Sequence, residues 1–508
     1  MKSFTRIKKI NGQEYIYEIT PYYDKEKKQI RQKSKYLGKN VNGVPVKVRS
    51  QDQVPKKVLS HGEFVPLKKI AEDLELEKIL SGVLPGKEVW PILTLAMNYA
   101  TRPRALTHIQ SWYEGTIISE DHPDLPLSSQ SLSRMLSRIG ESTANLEFSR
   151  KLIQQISTCS TLVYDITSLS SYSQSISLLE YGYNRDGFDL PQINLSLIVD
   201  MDLGIPVMYD LYPGSIADVS TLKNTVRKIK AQGVRNYTMI MDRGFFSTDN
   251  IEELVAADLS FIIPPTSTLK EAVSAIHSSI DDPEYLKLYE KEPLFVMPVS
   301  IEVGENKLSG YAYYDKKREQ QERSTFYKRL YDLMEVLKSK NLKHWMNPGE
   351  VFRATAKRDA KYIEWKAIDG RFQVALRKNA VSQAINKMGK FVLLYRGEFS
   401  WIECLSLYRS KDVVEKGFDV LKNDIELANL RTNSSLGGYL FIAFIALILR
   451  MKLTRLMIDA ELNKRYSVEG LLTELEKIKI MILPDGEKIT TEITKKQREI
   501  LDALHMCA

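Results

Sequence analysis

Cysteine is nearly missing from this chain. Its three copies, Cys159, Cys404 and Cys507, lie far apart and form no CxxC pair. That scarcity argues against a disulfide framework and a cysteine-held zinc site, and suits a reducing compartment. Histidine is almost as rare, with six residues scattered along the sequence, which argues against a histidine-based metal centre. The opening stretch MKSFTRIKKINGQ has no apolar core, so no secretion signal is expected. Long hydrophobic runs are lacking too. The longest, YLFIAFIALIL from Tyr439 to Leu449, is too short to span a bilayer and reads as a buried helix. No membrane partner is expected.

What is present is a globular composition, 43% hydrophobic and 27% charged over 508 residues, which leaves room for two to four domains. The charge is uneven. Residues 1–57 hold 15 Lys/Arg against 5 Asp/Glu, whereas the remainder holds 57 against 59. A basic head on a nearly neutral body suggests a polyanionic partner, most simply nucleic acid. In that head, alternation in EYIYEIT, a DKEKKQ turn and a RQKSKYLGK return predict a β-hairpin. Tyr15, Tyr17, Tyr22, Tyr23 and Tyr36 interleave with its lysines, either as a surface for a phosphate backbone or as the hairpin's own small core.

Six segments follow from the changes of texture: a basic β region over 1–58, a helical region over 59–158, the first part of a sheet core over 159–267, a β-rich insertion over 268–401, the second part of the core over 402–460 and a helical tail over 461–508. Within the helical region, LSSQSLSRMLSRIGE places Leu132, Leu136 and Ile139 on one side. It reads as a bundle helix, with the recognition helix of a helix-turn-helix, Arg134 and Arg138 outward, as the competing reading. After Thr158 the order is strand, hairpin, helix, strand, strand, which predicts an α/β mixed sheet with a helix crossing over it.

YRSKDVVEKGFDVLKND, from Tyr408 to Asp424, sets Tyr408, Lys411, Glu415 and Lys422 at steps of three, four and seven. At about 100° per residue these four fall on one face of a helix, beside an apolar stripe of Val414, Phe418 and Leu421. An ordinary solvated helix face has the same pattern. Asp165 and Asp242 each follow a hydrophobic run and are read as strand-end residues, where α/β sheets collect ligands. Asp200, Asp202 and Asp210 compete with them, and a strand-end aspartate is more often a turn residue or cap than a ligand. Two such aspartates with a helical glutamate, and few histidines, make an oxygen-ligand set suited to hard cations such as Mg²⁺.

The order Asp, Asp, then Glu within Y-x₂-R-x₃-E-x₆-K resembles the DDE transposases of bacterial and archaeal insertion sequences, in the class carrying the YREK signature. Tyr408, Glu415 and Lys422 match that signature, and Lys411 stands where the family usually has arginine. YGYNRDGFDLPQINLSLIVD, MDRGFFS and GGYLFIAFIAL also resemble blocks of these enzymes. The resemblance implies a ribonuclease H-like core interrupted by the β-rich insertion, with the helical region up to residue 158 binding DNA. It implies two Mg²⁺ or Mn²⁺ held by Asp165, Asp242 and Glu415, and DNA contacts from Tyr408, Lys411 and Lys422. Arg243, directly after Asp242, reads as a further phosphate contact or as a surface residue in a turn, and Arg409, out of register with the signature, as the DNA contact that replaces Lys411 if Lys411 is solvated. The partners would be double-stranded DNA, as terminal inverted repeats and target, bound by a dimer in a prokaryotic cytoplasm, associated with the nucleoid. Two alternatives stay open: a nuclease of the same fold without strand transfer, and a catalytically silent DNA-binding relative.

Overall fold

A computed structural model describes the chain apart from residues 1, 11–12, 25–28, 47–53, 157–159, 174, 183–189, 217, 267–275, 277–281, 413, 416, 419–431 and 507–508. Two compact units emerge. One is built from Met1–Asp73, Trp90–Leu132 and Leu456–Ala508, the other from Leu74–Val89 and Ser133–Arg455.

The first unit opens with strands β1 (Phe4–Ile10), β2 (Gln13–Asp24), β3 (Gln29–Val41) and β4 (Val44–Val46), which form one antiparallel sheet in that order. The expected hairpin is the β2–β3 pair, and β1 and β4 extend it on either side. Its expected turn at 25–28 lies outside the described residues. The buried residues of β2 are Ile16 and Ile19. Tyr15 and Tyr17 are half-buried and pack on the exposed Tyr36, with ring centres 6.1 and 5.5 Å apart, and Tyr22 and Tyr23 are exposed. The Lys8 ammonium stands 4.9 Å over the Tyr17 ring, a contact that joins the basic and aromatic residues of this face. Further along, β5 (Lys57–Ser60) pairs with strand Lys479–Ile482, itself paired with Lys488–Thr490. The C-terminal segment thus carries two strands beside its helices Val468–Leu475 and Lys495–Ala503.

The second unit is mixed α/β. Its strands are β6 (Thr161–Ser170), β7 (Gln192–Asp200), β8 (Ile205–Pro213), β9 (Thr238–Met241), β10 (Ser260–Ile263), β11 (Leu286–Tyr289), β12 (Glu292–Val303), β13 (Asn306–Tyr314), β14 (Ile363–Ile368), β15 (Arg371–Leu376) and β16 (Lys390–Arg396). Nine of them make one sheet in the order β11-β12-β13-β16-β10-β9-β6-β7-β8. β9 lies parallel to both β6 and β10, and the other neighbours are antiparallel. β6 and β7 are buried nearly throughout, which is why both read as apolar runs rather than alternating ones. Gly204 closes the β7–β8 turn at φ +68°, a left-handed conformation that glycine adopts freely. Among the described residues, the segment read as a β-rich insertion holds six strands. β11, β12, β13 and β16 continue the core sheet, and only the β14–β15 pair stands apart. That pair packs with helices Lys316–Ser339 and Pro348–Ala356 around Leu337, Phe352, Ile363 and Phe372.

Helix Asn433–Asp459 is long and apolar enough to cross a membrane, yet 89% of its most apolar window is buried within the protein. Phe441 and Phe444 meet Phe148 edge to face. Where this helix crosses Ser129–Glu141, glycines let the backbones touch. A Cβ on Gly438 would lie 2.0 Å from the Leu136 carbonyl oxygen, and one on Gly140 would lie 1.8 Å from that of Ser434. Arg138, on the same shorter helix, is paired with Glu88.

Two predictions concern stability. Gly438→Ala should cost at least the roughly 1–3 kcal/mol of an overpacked core, because the obstacle is backbone that cannot rotate away. Gly86→Ala, whose Cβ would meet nothing within 4 Å, should stay within about 0.5 kcal/mol of wild type. Denaturant midpoints of the two variants compare them directly. The second concerns Glu63 in the first unit. Burial pushes its carboxyl up to about 7, against the opposing pull of Lys479. The folded state therefore holds this proton more tightly than the unfolded chain does. The stability it contributes is full below the ordinary value of 4.5 and is lost as pH rises through about 7. Glu63→Gln should gain stability relative to wild type between pH 5 and pH 8, and thermal unfolding at those two values measures it. A difference that does not change with pH would refute this.

Candidate active site

The parallel ladder between β6 and β9 runs from Thr161↔Thr238 to Tyr164↔Met241 and stops there. Asp165 and Asp242 are the next residues on each strand, so they stand side by side at the point where the two strands part. Asp242 is a strand-end residue, as read from the sequence, and its side chain accepts a hydrogen bond from the Arg243 backbone N–H to start a short 3₁₀ turn. Asp165 corrects the sequence reading. It sits midway along β6, which stays paired with β7 as far as Ser170. What ends beside Asp165 is the pairing to β9, an event that no property of β6 alone announces.

The expected single helix from Tyr408 onward is also corrected. A helix capped by Ser400 and Glu403 runs from Trp401 to Arg409 and ends, with Ser410 as its cap. The Ser410 hydroxyl donates to the Leu407 carbonyl, and the Lys411 N–H reaches only to Tyr408, three residues back. A serine bonding back to the helix competes with its regular ladder and bends it. Helical bonding resumes at once, with Val414 and Glu415 donating to the Lys411 carbonyl.

This turn buries Lys411, which is only 5% exposed. Its ammonium lies 3.1 Å from Glu415 Oε1, 3.6 Å from Asp242 Oδ2 and 3.9 Å from Asp165 Oδ2. The three acids singled out in the sequence are thus drawn together through one cation. Burial opposes the charge on Lys411, but the attraction of Asp165, Asp242 and Glu415 outweighs it and holds the amine above its ordinary value. Glu415 is the outermost of the acids, its side chain 57% exposed, while Asp165 is buried.

The remaining candidates spread around this centre. Tyr408 and the exposed Arg243 line a cavity of about 490 Å³ next to Asp242. Burial, and then the Asp242 charge, push the Tyr408 phenol up to about 12. Arg409 points elsewhere, 3.1 Å from Asp315 and 4.7 Å over the Tyr289 ring. Lys422 lies outside the described residues. The competing aspartates have structural partners. Asp200 accepts from the Leu203 N–H, Asp202 from the Ser160 hydroxyl, and Asp210 pairs with Lys228. Sequence reading missed Arg318 and Lys390, which bring two more positive charges to the cavity from the insertion. Arg318 lies in a strongly basic helix and Lys390 at the start of a strand, and nothing in either segment links it to Asp242.

Among the described residues, no three His, Cys, Asp or Glu side chains are gathered closely enough to hold a metal ion as they stand. The chemistry of the set nevertheless fits one. Three carboxylates converge on a common cation, and oxygen donors suit Mg²⁺ or Mn²⁺.

Comparison with known proteins adds to this geometry. No curated protein matches the sequence. Among solved structures, the chain is similar to that in a cryo-EM structure of a piggyBac transposase synaptic complex with hairpin DNA, at 10% identity and a TM-score of 0.37. The match covers 83% of this chain and 82% of that one. The model of the transposase DDE domain matches residues 156–450, more than half of the sequence, a span that contains Asp165, Asp242, Lys411 and Glu415. The chain belongs to the family of proteins with a transposase DDE domain.

Proposed function

We propose that this protein is a transposase that cuts DNA strands at the ends of an insertion sequence of the YREK class and joins the freed 3′-hydroxyl ends to target DNA. The observation that carries the reading is the convergence of Asp165, Asp242 and Glu415, from two parallel strands and one helix, within a matched transposase DDE domain. A ribonuclease H-like core is supported by the run β8-β7-β6-β9-β10, antiparallel on one side of β6 and parallel on the other.

In this reading Asp165, Asp242 and Glu415 hold two Mg²⁺ or Mn²⁺. Bound there, the ions would activate an attacking oxygen and stabilise the leaving one. The carboxylates would hold those ions where the scissile phosphodiester meets water, and later where the 3′-hydroxyl meets a phosphodiester of the target, with the neighbouring cationic side chains binding the phosphate. Tyr408, Arg243, Lys411, Lys422 and Arg409 are the proposed DNA contacts. For Arg409 this requires release from Asp315. The helical region up to residue 158 is proposed to read the terminal inverted repeats, and the basic sheet β1–β4 to lie along their phosphates. Holding two ends at once implies a dimer on the DNA. The protein would work in a prokaryotic cytoplasm, associated with the nucleoid.

Asp165→Asn, Asp242→Asn and Glu415→Gln should each abolish strand cleavage in Mg²⁺ while end-binding survives, because an amide is a poorer, uncharged ligand. Nicking of labelled duplex ends measures the first property and gel retardation the second. Normal cleavage by any one variant removes that residue from the site, and cleavage by wild type without end-joining reduces the activity to hydrolysis. For the head, replacing Arg6, Lys8, Lys33 and Lys35 by Gln should weaken DNA binding. It should also flatten log affinity against log salt by up to about 0.9 for each phosphate no longer neutralised. An unchanged slope would assign the β1–β4 sheet a structural role.

A further inference from the structure

Lysine is among the residues least often fully buried, and it is buried only with partners. Lys411 has three, and they are the same three acids proposed to hold metal. Its ammonium occupies the focus of their oxygens, where a divalent cation would have to go. The carboxylates around it are not drawn to coordination distance of one another among the described residues. A divalent ion bound to those oxygens would sit a few ångströms from a like charge, inside a site where burial limits the screening of the repulsion. The two cations would repel each other there.

We propose that Lys411 is the resting counter-ion of this site: its ammonium holds Asp165, Asp242 and Glu415 together before metal arrives, and metal binding expels it. The inference rests on the metal reading of the three acids and adds a second position for the lysine. Expulsion is mechanically cheap, since the ammonium rides on a flexible four-carbon stem with three rotatable donors. Lys411 also stands at the turn after Arg409, one helical turn before Glu415. The released ammonium thus remains beside the reacting phosphate, free to bind it as a point charge. One residue serves two exclusive states: it screens the acids when the site lacks metal, and it grips DNA when the site is loaded.

The test uses the full-length protein without DNA, so it does not depend on activity. Mn²⁺ binding is measured by calorimetry for wild type and for Lys411→Met, which keeps the apolar stem and removes the charge. The expected result is a Kd for Mn²⁺ at least tenfold lower in the variant, with a lower unfolding temperature in EDTA and a larger rise on adding Mn²⁺. Lys228→Met, which breaks a lysine–aspartate pair elsewhere in the same unit, should leave the Kd unchanged. Lys411→Gln gives the same reading if the Met variant does not fold. An equal or higher Kd in folded Lys411 variants, with Asp165→Asn still weakening Mn²⁺ binding, overturns the proposal and leaves the metal reading intact. Absence of Mn²⁺ binding in wild type and variant alike overturns both.

Discussion

Four rungs of parallel ladder, Thr161–Tyr164 against Thr238–Met241, fix where the first two acids stand. Parallel pairing requires a crossover, and helix Asp218–Ala231 supplies it between β8 and β9. Because the pairing stops at Tyr164 and Met241, the next two side chains meet at a notch in the sheet rather than on separate loops. Asp165 is held by the continuing ladder to β7, and Asp242 by its bond from the Arg243 N–H, directly beyond the buried end of β9. Glu415 comes from a helix packed nearby and is the exposed, adjustable member of the set.

Much of this was legible in the sequence, for reasons that differ from element to element. The apolar runs of β6, β7, β9 and β10 read as strands because burial on both faces leaves no alternation to confuse them. Asp242 was readable as a strand end because the hydrophobic run visibly stops. The steps between Tyr408, Lys411 and Glu415 suggested a shared face, and Lys411 does meet Glu415 one turn on.

Tertiary facts were not legible. Asp165 looks like a strand end, yet its strand continues, since only one of its two neighbours departs. The helix break at Ser410 depends on one hydroxyl choosing a backbone acceptor. The burial of Lys411 depends on charges from β6 and β9 that are distant in sequence, and a lysine on a charged helix reads by default as solvated. The placement of β11, β12, β13 and β16 was hidden for a similar reason. Strand texture reveals that a segment is extended but not which edge it joins.

The late closure of the sheet bears on biosynthesis. β16 closes against β10 and β13, and residues 264–389 lie between β10 and β16 in the chain. Pairing across so long an interval is entropically slow and cannot start before the later strand has left the ribosome. Until then the edge of β10 has no antiparallel neighbour, and an unpaired edge is a template for association with other chains. Lys411 and Glu415 emerge only after β16, followed by the long apolar helix that crosses at Gly438. Asp165 and Asp242 thus leave the ribosome well before the lysine and the glutamate that meet them, which follow one helical turn apart. A truncated product that stops before residue 411 would lack both at once, and with Glu415 the third acid of the set.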